Sequence, residues 1–142
     1  MKTSLKISTS FVSPVTMEIF KKHNVLPIFI IRKIKNSDLI GNFEGTSIHF
    51  KELSPSNELF RIKRDGLISF EEFSKRYILE VSENVDFDSV IKRWENLADI
   101  SGASSIVLLG YGSNEKNCHR SVLSDLLNSM NIVNDRITEI IW

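Results

Sequence analysis

The sequence has one cysteine, Cys118, among its 142 residues, so no disulfide can form within the chain. A chain without disulfides is typical of a reducing compartment. The sequence also lacks any window close to the roughly 20 consecutive apolar residues that span a bilayer. Its first residues do not contain the apolar stretch of a secretory signal. These absences argue against a membrane protein and favour a cytoplasmic location.

The sequence lacks net charge as well, with 18 Lys and Arg residues against 18 Asp and Glu residues. A global electrostatic footprint for nucleic acid is therefore absent. Short basic runs remain at residues 32–35 and 61–64, and a solvated surface is the favoured interpretation of both. Hydrophobic residues make up 42% and charged residues 25%, which is ordinary for a globular protein. The length suits one domain, residues 1–142.

Apolar runs and helical periodicities alternate along the chain, which predicts an α/β fold. We expect a Rossmann-like, open and mostly parallel sheet of about four strands, with helices on both faces. Residues 33–51 have no clear period and are expected to form an irregular excursion, in the manner of a lid. The predicted strands cover residues 5–9, 25–31, 105–109 and 137–142. The predicted helices cover residues 14–23, 54–62, 69–82, 87–98 and 118–130, the fourth of them capped by Asp86.

Polar side chains follow three of the predicted strands. In open parallel sheets, ligands bind outside the carboxyl ends of the strands. Hydroxyl groups follow the first strand, a guanidinium follows the second, and a glycine-rich turn with the run Cys-His-Arg-Ser follows the third. Such a set suits an anionic ligand. The expected ligand-binding residues are Thr9, Ser10, Arg32, Tyr111, Arg120 and Ser121.

The run Cys118-His119-Arg120-Ser121 opens the last predicted helix. Its periodicity points His119 toward the end of the sheet and places Arg120 at the edge, flanking the opening. A bound phosphate or carboxylate would then be held by backbone N–H groups and by Arg120. We accordingly expect Arg120→Ala to release an anionic ligand with little change in melting temperature. The structural alternatives are an Arg120–Glu115 pair, a His119 bond to a backbone carbonyl and a Cys118 that only fills space.

Several familiar sites are excluded because this sequence lacks residues that they require. The stretch 65–73 resembles half of a calcium loop, but Arg61 and Lys63 stand where carboxylates are needed. A phosphatase-type cysteine loop needs arginine six residues after the cysteine, where this chain has Ser124. No zinc-type spacing exists, and the turn at 110–112 lacks the third glycine of a dinucleotide fingerprint. We expect no metal and no cofactor, while a Cys118 nucleophile assisted by His119 remains open.

The segment from Leu108 to Leu123, with Cys-His-Arg-Ser at 118–121, resembles the signature of the domain-of-unknown-function 488 family. Thr9-Ser10, the strand at 27–32, the Leu-Ser-Pro-Ser turn at 53–56 and the helix at 68–81 resemble other family segments in the same order. The resemblance covers most of the chain. It implies an α/β sandwich with these segments around one pocket, and it implies no established reaction.

This chain departs from the family pattern at the pocket. The family usually has Leu-Cys-Tyr-Glu or Leu-Cys-Ala-Glu where this chain has Leu-Gly-Tyr-Gly at 109–112, and its usual tryptophan is Asn57 here. A thiol and a carboxylate are therefore missing at Gly110 and Gly112, and Glu115 is a poor positional substitute. This loss favours binding over catalysis.

The functional hypothesis is the binding, with or without processing, of a small phosphorylated or nucleotide-like ligand at the carboxyl ends of the strands. One form of it is a sequestering protein for nucleotide signals. His119 and Cys118 are the candidate catalytic residues. The alternative is a nucleic-acid-processing or nucleic-acid-binding enzyme that uses the same pocket, and a third is a structural interaction module. The sequence does not predict the oligomeric state.

Overall fold

The computed structural model describes residues 2–34, 43, 45–112 and 114–142. Within these residues, four β-strands and five α-helices follow one another in the alternating order that the sequence predicts. Their bounds are β1 Lys6–Phe11, α1 Pro14–Lys22, β2 Val25–Phe29, α2 Asn57–Arg64, α3 Phe70–Asn84, α4 Phe87–Ser101, β3 Ser105–Gly110, α5 His119–Ser129 and β4 Thr138–Glu139.

The four strands form one parallel sheet in the order β2-β3-β1-β4. The central strand β3 is apolar without alternation, as expected of a strand that is buried on both faces. Ile106 and Leu108 belong to one hydrophobic cluster, and Val107 and Leu109 belong to the other. The predicted open, parallel α/β sheet is therefore confirmed.

Helices cover both faces of this sheet. On one face, Phe20 of α1 packs in the same cluster as Val107 and Leu109. On the other face, helices α2 to α5 bury their apolar stripes, with Tyr77 and Trp94 fully enclosed. After β1 the chain therefore crosses one face of the sheet, and after β3 it crosses the opposite face. This divergence makes the crevice between the carboxyl ends of β1 and β3 a topological switch point, where ligands bind in open α/β sheets.

Several predicted boundaries differ from those of the structure by one to three residues. Helix α2 begins at Asn57 rather than at residue 54, because the Ser56 hydroxyl accepts the Leu59 N–H at 3.1 Å and caps the helix there. The final strand pairs only over Thr138–Glu139 rather than over 137–142. Beyond it, the Trp142 ring packs against Phe11 and Phe20, with ring centroids 6.3 and 5.8 Å away.

The predicted excursion at 33–51 falls partly at residues 35–42 and 44, which lie outside the described residues. In its described part, the ring of Phe43 stacks on the ring of Phe29 with their centroids 5.2 Å apart. A short 3₁₀ helix follows at residues 51–53. Among the described residues, no helix combines the length and the apolar character that a membrane crossing requires.

Candidate functional site

Cys118 lies beside the carboxyl end of β3 and begins α5. A 3₁₀ turn at Glu115–Asn117 leads into it, capped by the Asn114 side chain, which accepts the Lys116 N–H at 3.1 Å. Cys118 is the N-cap residue of α5, yet its side chain makes no capping hydrogen bond. Ser121 donates its hydroxyl to the Cys118 carbonyl instead, at 2.9 Å.

His119 lies between this thiol and the end of β2. Its Nε2 is 2.5 Å from the carbonyl oxygen of Ile30, and its Nδ1 is 3.8 Å from the Cys118 sulfur. Because a carbonyl can only accept, Nε2 must carry the proton. In the neutral imidazole, Nδ1 then presents its lone pair to the thiol. The carbonyl of Ile30 thus fixes both the tautomer and the orientation in which His119 can accept the thiol proton.

Arg120 is fully buried, with 0% of its surface exposed. Its Nε and Nη2 donate to the Glu139 carboxylate at 3.0 and 2.9 Å, in the bidentate geometry that a guanidinium favours. Nη1 donates to the carbonyl of Gly112. Thr9 adds a hydroxyl donor to the same carboxylate at 2.6 Å. The N-terminal and C-terminal strands are thereby joined to the start of α5 through one buried ion pair.

The surroundings of Cys118 favour its deprotonated form. Burial by itself would raise the pKa of the thiol. The hydrogen bond and charge of His119, the backbone N–H of Arg120 and the charge of its guanidinium outweigh that effect and lower the pKa of Cys118 to about 6. Stabilisation of a thiolate by an imidazole and a helix N-terminus is the usual basis of a reactive cysteine. At neutral pH the sulfur is therefore mainly a thiolate.

Two further side chains near the sulfur were not predicted as site residues. Lys63, at the end of α2, donates from Nζ to the Asn117 carbonyl at 2.6 Å. The Tyr77 ring meets the His119 ring edge-on at 5.5 Å, and its hydroxyl donates to the carbonyl of Leu53. Burial and then the charge of Cys118 raise the pKa of Tyr77, which keeps the phenol protonated. Neither residue carries a local motif, and each reaches the site through tertiary packing.

The remaining predicted residues are dispersed around this centre. Ser10 faces the α1 side of the sheet, where its hydroxyl accepts the Trp142 indole N–H at 3.2 Å. Arg32 donates from Nε to the carbonyl of Pro55 at 3.2 Å. Tyr111 is 39% exposed at the turn after β3. Ser121 lines a groove of about 330 Å³ between α3 and α5. The structure therefore brings Thr9 together with Cys118, His119 and Arg120, and it separates Ser10 from them.

Two expectations about this site are wrong. Arg120 does not flank an opening, because its long side chain turns inward to the buried carboxylate of Glu139. Its partner is not Glu115. The guanidinium pairs instead with the carboxylate of Glu139, 19 residues after Arg120 in the chain. Strand pairing carries it there, since Glu139 lies opposite Thr9 in the register of β4 and β1.

Gly110 makes room for the thiol. A Cβ atom at this position would lie 2.6 Å from the Cys118 sulfur and 3.4 Å from Nη1 of Arg120. Gly110→Ala should therefore displace the sulfur and destabilise the fold by about 1–3 kcal/mol, the usual cost of overpacking. Urea unfolding measures this cost.

Gly112→Ala is the matched control for Gly110→Ala. The nearest atom to its added Cβ is the Cβ of Cys118, at an ordinary contact distance of 3.8 Å. This variant should change the free energy of unfolding by no more than about 0.5 kcal/mol. Equal destabilisation by the two alanines would contradict the steric role of Gly110.

Within the described part of the chain, no three His, Cys, Asp or Glu side chains are grouped so that they could hold a metal ion. The side chains that meet at the start of α5 are a thiol, an imidazole and a guanidinium paired with a carboxylate. No carboxylate besides Glu139 takes part in the hydrogen bonds that join them in the described residues.

Of the comparisons with known proteins, the scan of protein families gives a match to this chain. No curated protein and no solved structure matches the chain. The family model DUF488-N3a, described as the active DUF488-N3 subclade, matches residues 30–131. That range is more than half of the chain and contains the whole Cys-His-Arg-Ser run, whereas Thr9 and Glu139 lie outside it. The chain therefore belongs to the DUF488 family, within the subclade DUF488-N3a.

Proposed function

We propose that this protein is a cysteine-dependent enzyme that binds a small phosphorylated or nucleotide-like substrate at the carboxyl ends of β1 and β3. The observation that carries the proposal is the Cys118–His119 pair: a thiol whose pKa is lowered to about 6, beside an imidazole held on the Ile30 carbonyl. A nucleophile, a base and a group that orients the base are the parts of covalent catalysis. The word "active" in the family description is in keeping with it.

The preference for binding alone has a counterargument in the surroundings of Gly110 and Gly112. That preference rested on the missing thiol and carboxylate at Gly110 and Gly112. Glu139 supplies a carboxylate to Arg120, and Gly110 leaves the space that the Cys118 sulfur occupies. The two glycines are thus compatible with chemistry at Cys118.

The proposed reaction starts from the Cys118 thiolate, with the thiol proton held on Nδ1 of His119. The Cys118 sulfur then attacks an electrophilic phosphorus or carbon atom of the substrate, and a sulfur–substrate bond forms as the bond to the leaving group breaks. His119 returns the proton to the leaving group. Water, deprotonated by the same imidazole, then releases the second product and restores the thiol. This sequence requires no oxidant and no further co-reactant.

The preference for an anionic substrate rests on the charges around the sulfur. Cys118 stands at the N-terminus of α5, an 11-residue helix whose dipole favours negative charge there. Lys63 donates to the peptide carbonyl next to Cys118, which places an ammonium group at the same point. Arg120 contributes less, because Glu139 already neutralises it.

The nucleic-acid alternative draws on the basic residues 61–64 of α2. Of these, Arg64 already pairs with Asp65 at 3.2 Å, and Lys63 is held at the Asn117 carbonyl beside Cys118. The small-substrate proposal is therefore preferred. An oligonucleotide included among the substrates tests the alternative, because nucleic-acid binding should weaken steeply with added salt.

The test uses nucleoside mono-, di- and triphosphates, sugar phosphates and one oligonucleotide as probes, with product analysis by chromatography. We expect the native protein to consume at least one small phosphorylated probe, and Cys118→Ser to abolish that consumption. Intact-mass measurement of quenched reactions should show an adduct at Cys118. Equal turnover by Cys118→Ser, or no consumption of any phosphorylated probe, would contradict the proposal.

A further inference from the structure

Lys63 stands next to the thiol although it is far away in sequence. It lies in the last turn of α2, and its Nζ is 2.6 Å from the carbonyl oxygen of Asn117. That carbonyl belongs to the peptide bond that leads into Cys118. The ammonium group is therefore held within one peptide unit of the reactive residue, and the loop before α5 is fixed to α2 at this point.

In the described part of the chain, the charge of Lys63 has no carboxylate partner within 4.0 Å. Among the residues that the structure describes, the ion pairs within 4.0 Å involve Arg64, Lys75, Arg76, Arg93 and Arg120 but not Lys63. Its ammonium lies instead over the rings of Phe70 and Phe73, 5.4 and 4.9 Å from their centroids. An ammonium has three donors, and the Asn117 carbonyl takes one of them. Lys63 thus keeps hydrogen-bonding capacity and positive charge for a further anion.

Arg120 differs from Lys63 because a carboxylate, that of Glu139, already pairs with its charge. Its side chain bonds Glu139, the carbonyl of Gly112 and the Cys118 sulfur, and its surface is fully covered. Burial lowers the pKa of Lys63 while the charge of Cys118 raises it, so the ammonium and the sulfur interact electrostatically. The sulfur loses its negative charge once it is bonded to a substrate. The ammonium is then available to the anionic group of that substrate.

We propose that Lys63, rather than Arg120, receives the anionic phosphoryl or carboxylate group of the substrate at the Cys118 centre. This assignment rests on the proposed function, because it makes Lys63 a substrate-binding residue of the same site. The rings of Phe70 and Phe73 hold the lysine side chain in position, and the Asn117 carbonyl orients its ammonium. Arg120 serves the structure of the site through Glu139.

The test compares two alkylating reagents of similar size that differ in charge. Iodoacetate carries a carboxylate and iodoacetamide is neutral, and both modify the single cysteine. The ratio of their rate constants therefore measures how strongly the site attracts an anion. Lys63→Gln keeps a hydrogen-bond donor for Asn117 and removes the charge. We expect it to lower the iodoacetate-to-iodoacetamide ratio about fivefold, the scale of one nearby unit charge.

Arg64→Gln is the matched control, since it removes one positive charge from the neighbouring residue of α2, which is exposed and paired with Asp65. It should leave the ratio within about twofold of the native protein, given screening by water and salt. Lys63→Arg should also keep the ratio, because it restores the charge. Added salt should lower the ratio in the native protein and leave it almost unchanged in Lys63→Gln.

An unchanged ratio in Lys63→Gln would overturn the assignment of Lys63, and the proposed function would stand as long as Cys118 still reacts as a thiolate. Failure of both reagents to modify the folded native protein near neutral pH would contradict the proposed function itself. Thermal melting shows whether Lys63→Gln is folded. If it is not, Lys63→Met, which keeps the apolar length against Phe70 and Phe73, gives the same comparison with the same deciding outcomes.

Discussion

Arg120→Ala should lower the free energy of unfolding by about 3–5 kcal/mol, the cost of removing one partner from a buried ion pair. The guanidinium is fully covered, and its loss leaves the Glu139 carboxylate with the Thr9 hydroxyl as its remaining side-chain donor. Urea unfolding at neutral pH measures the loss. This result would replace the expectation, drawn from the sequence, that the variant melts almost like the native protein.

Two controls separate the buried pair from a general effect of removing arginine. Arg76→Ala breaks an exposed i, i+4 pair with Glu72 and should cost about 0.3–0.5 kcal/mol. The double variant Arg120→Met with Glu139→Leu removes both charges and should be more stable than Arg120→Ala. A loss below about 1 kcal/mol in Arg120→Ala would show that the pair does not hold β4 to the start of α5.

His119→Gln should raise the pKa of Cys118 by about one unit or more, so that the thiolate fraction at pH 6 falls about fivefold or more. The amide N–H of glutamine can still donate to the Ile30 carbonyl, but it provides no basic nitrogen for the thiol. The hydrogen bond and charge of His119 that lower the thiol pKa are thereby removed. The pH dependence of the iodoacetamide reaction measures the change.

His49→Gln is the matched control for this variant. His49 bonds the neighbouring carbonyl, that of Ile31, with its Nε2 at 2.7 Å, and its Nδ1 accepts the Gly45 N–H at 3.0 Å. His49 thus lies beside the end of β2, and in the described residues its ring nitrogens bond backbone groups. Its replacement should leave the reactivity profile of Cys118 in place. A shift of equal size in both variants would argue against a specific Cys118–His119 pair.

The fold could be predicted largely because its signals are local. Apolar runs such as Ser105–Gly110 mark buried parallel strands, and caps such as Asp86 mark helix starts. The place proposed for the site rests on the rule on strand ends together with the run at 118–121. The direction of His119 toward the sheet also followed from helical periodicity, and the structure confirms it.

The partners within the site could not be predicted from local pattern. Glu139 reaches Arg120 only because a two-residue strand pairs with β1 in one register. Lys63 reaches the loop before Cys118 only because α2 packs beside it. Helical periodicity gives the position of Arg120 around α5, but the length and flexibility of its side chain allow it to turn toward a carboxylate from elsewhere. Which carboxylate is present depends on tertiary structure.

The central claim is that Cys118 of the folded protein is a thiolate at neutral pH. Because the chain has a single cysteine, the difference in ultraviolet absorbance between the native protein and Cys118→Ser reports this one thiol. The fold lowers the pKa, so the thiolate signal should rise as pH increases through about 6. A midpoint near the ordinary thiol value of 9.0 would contradict the account, since burial would then outweigh His119 and Arg120.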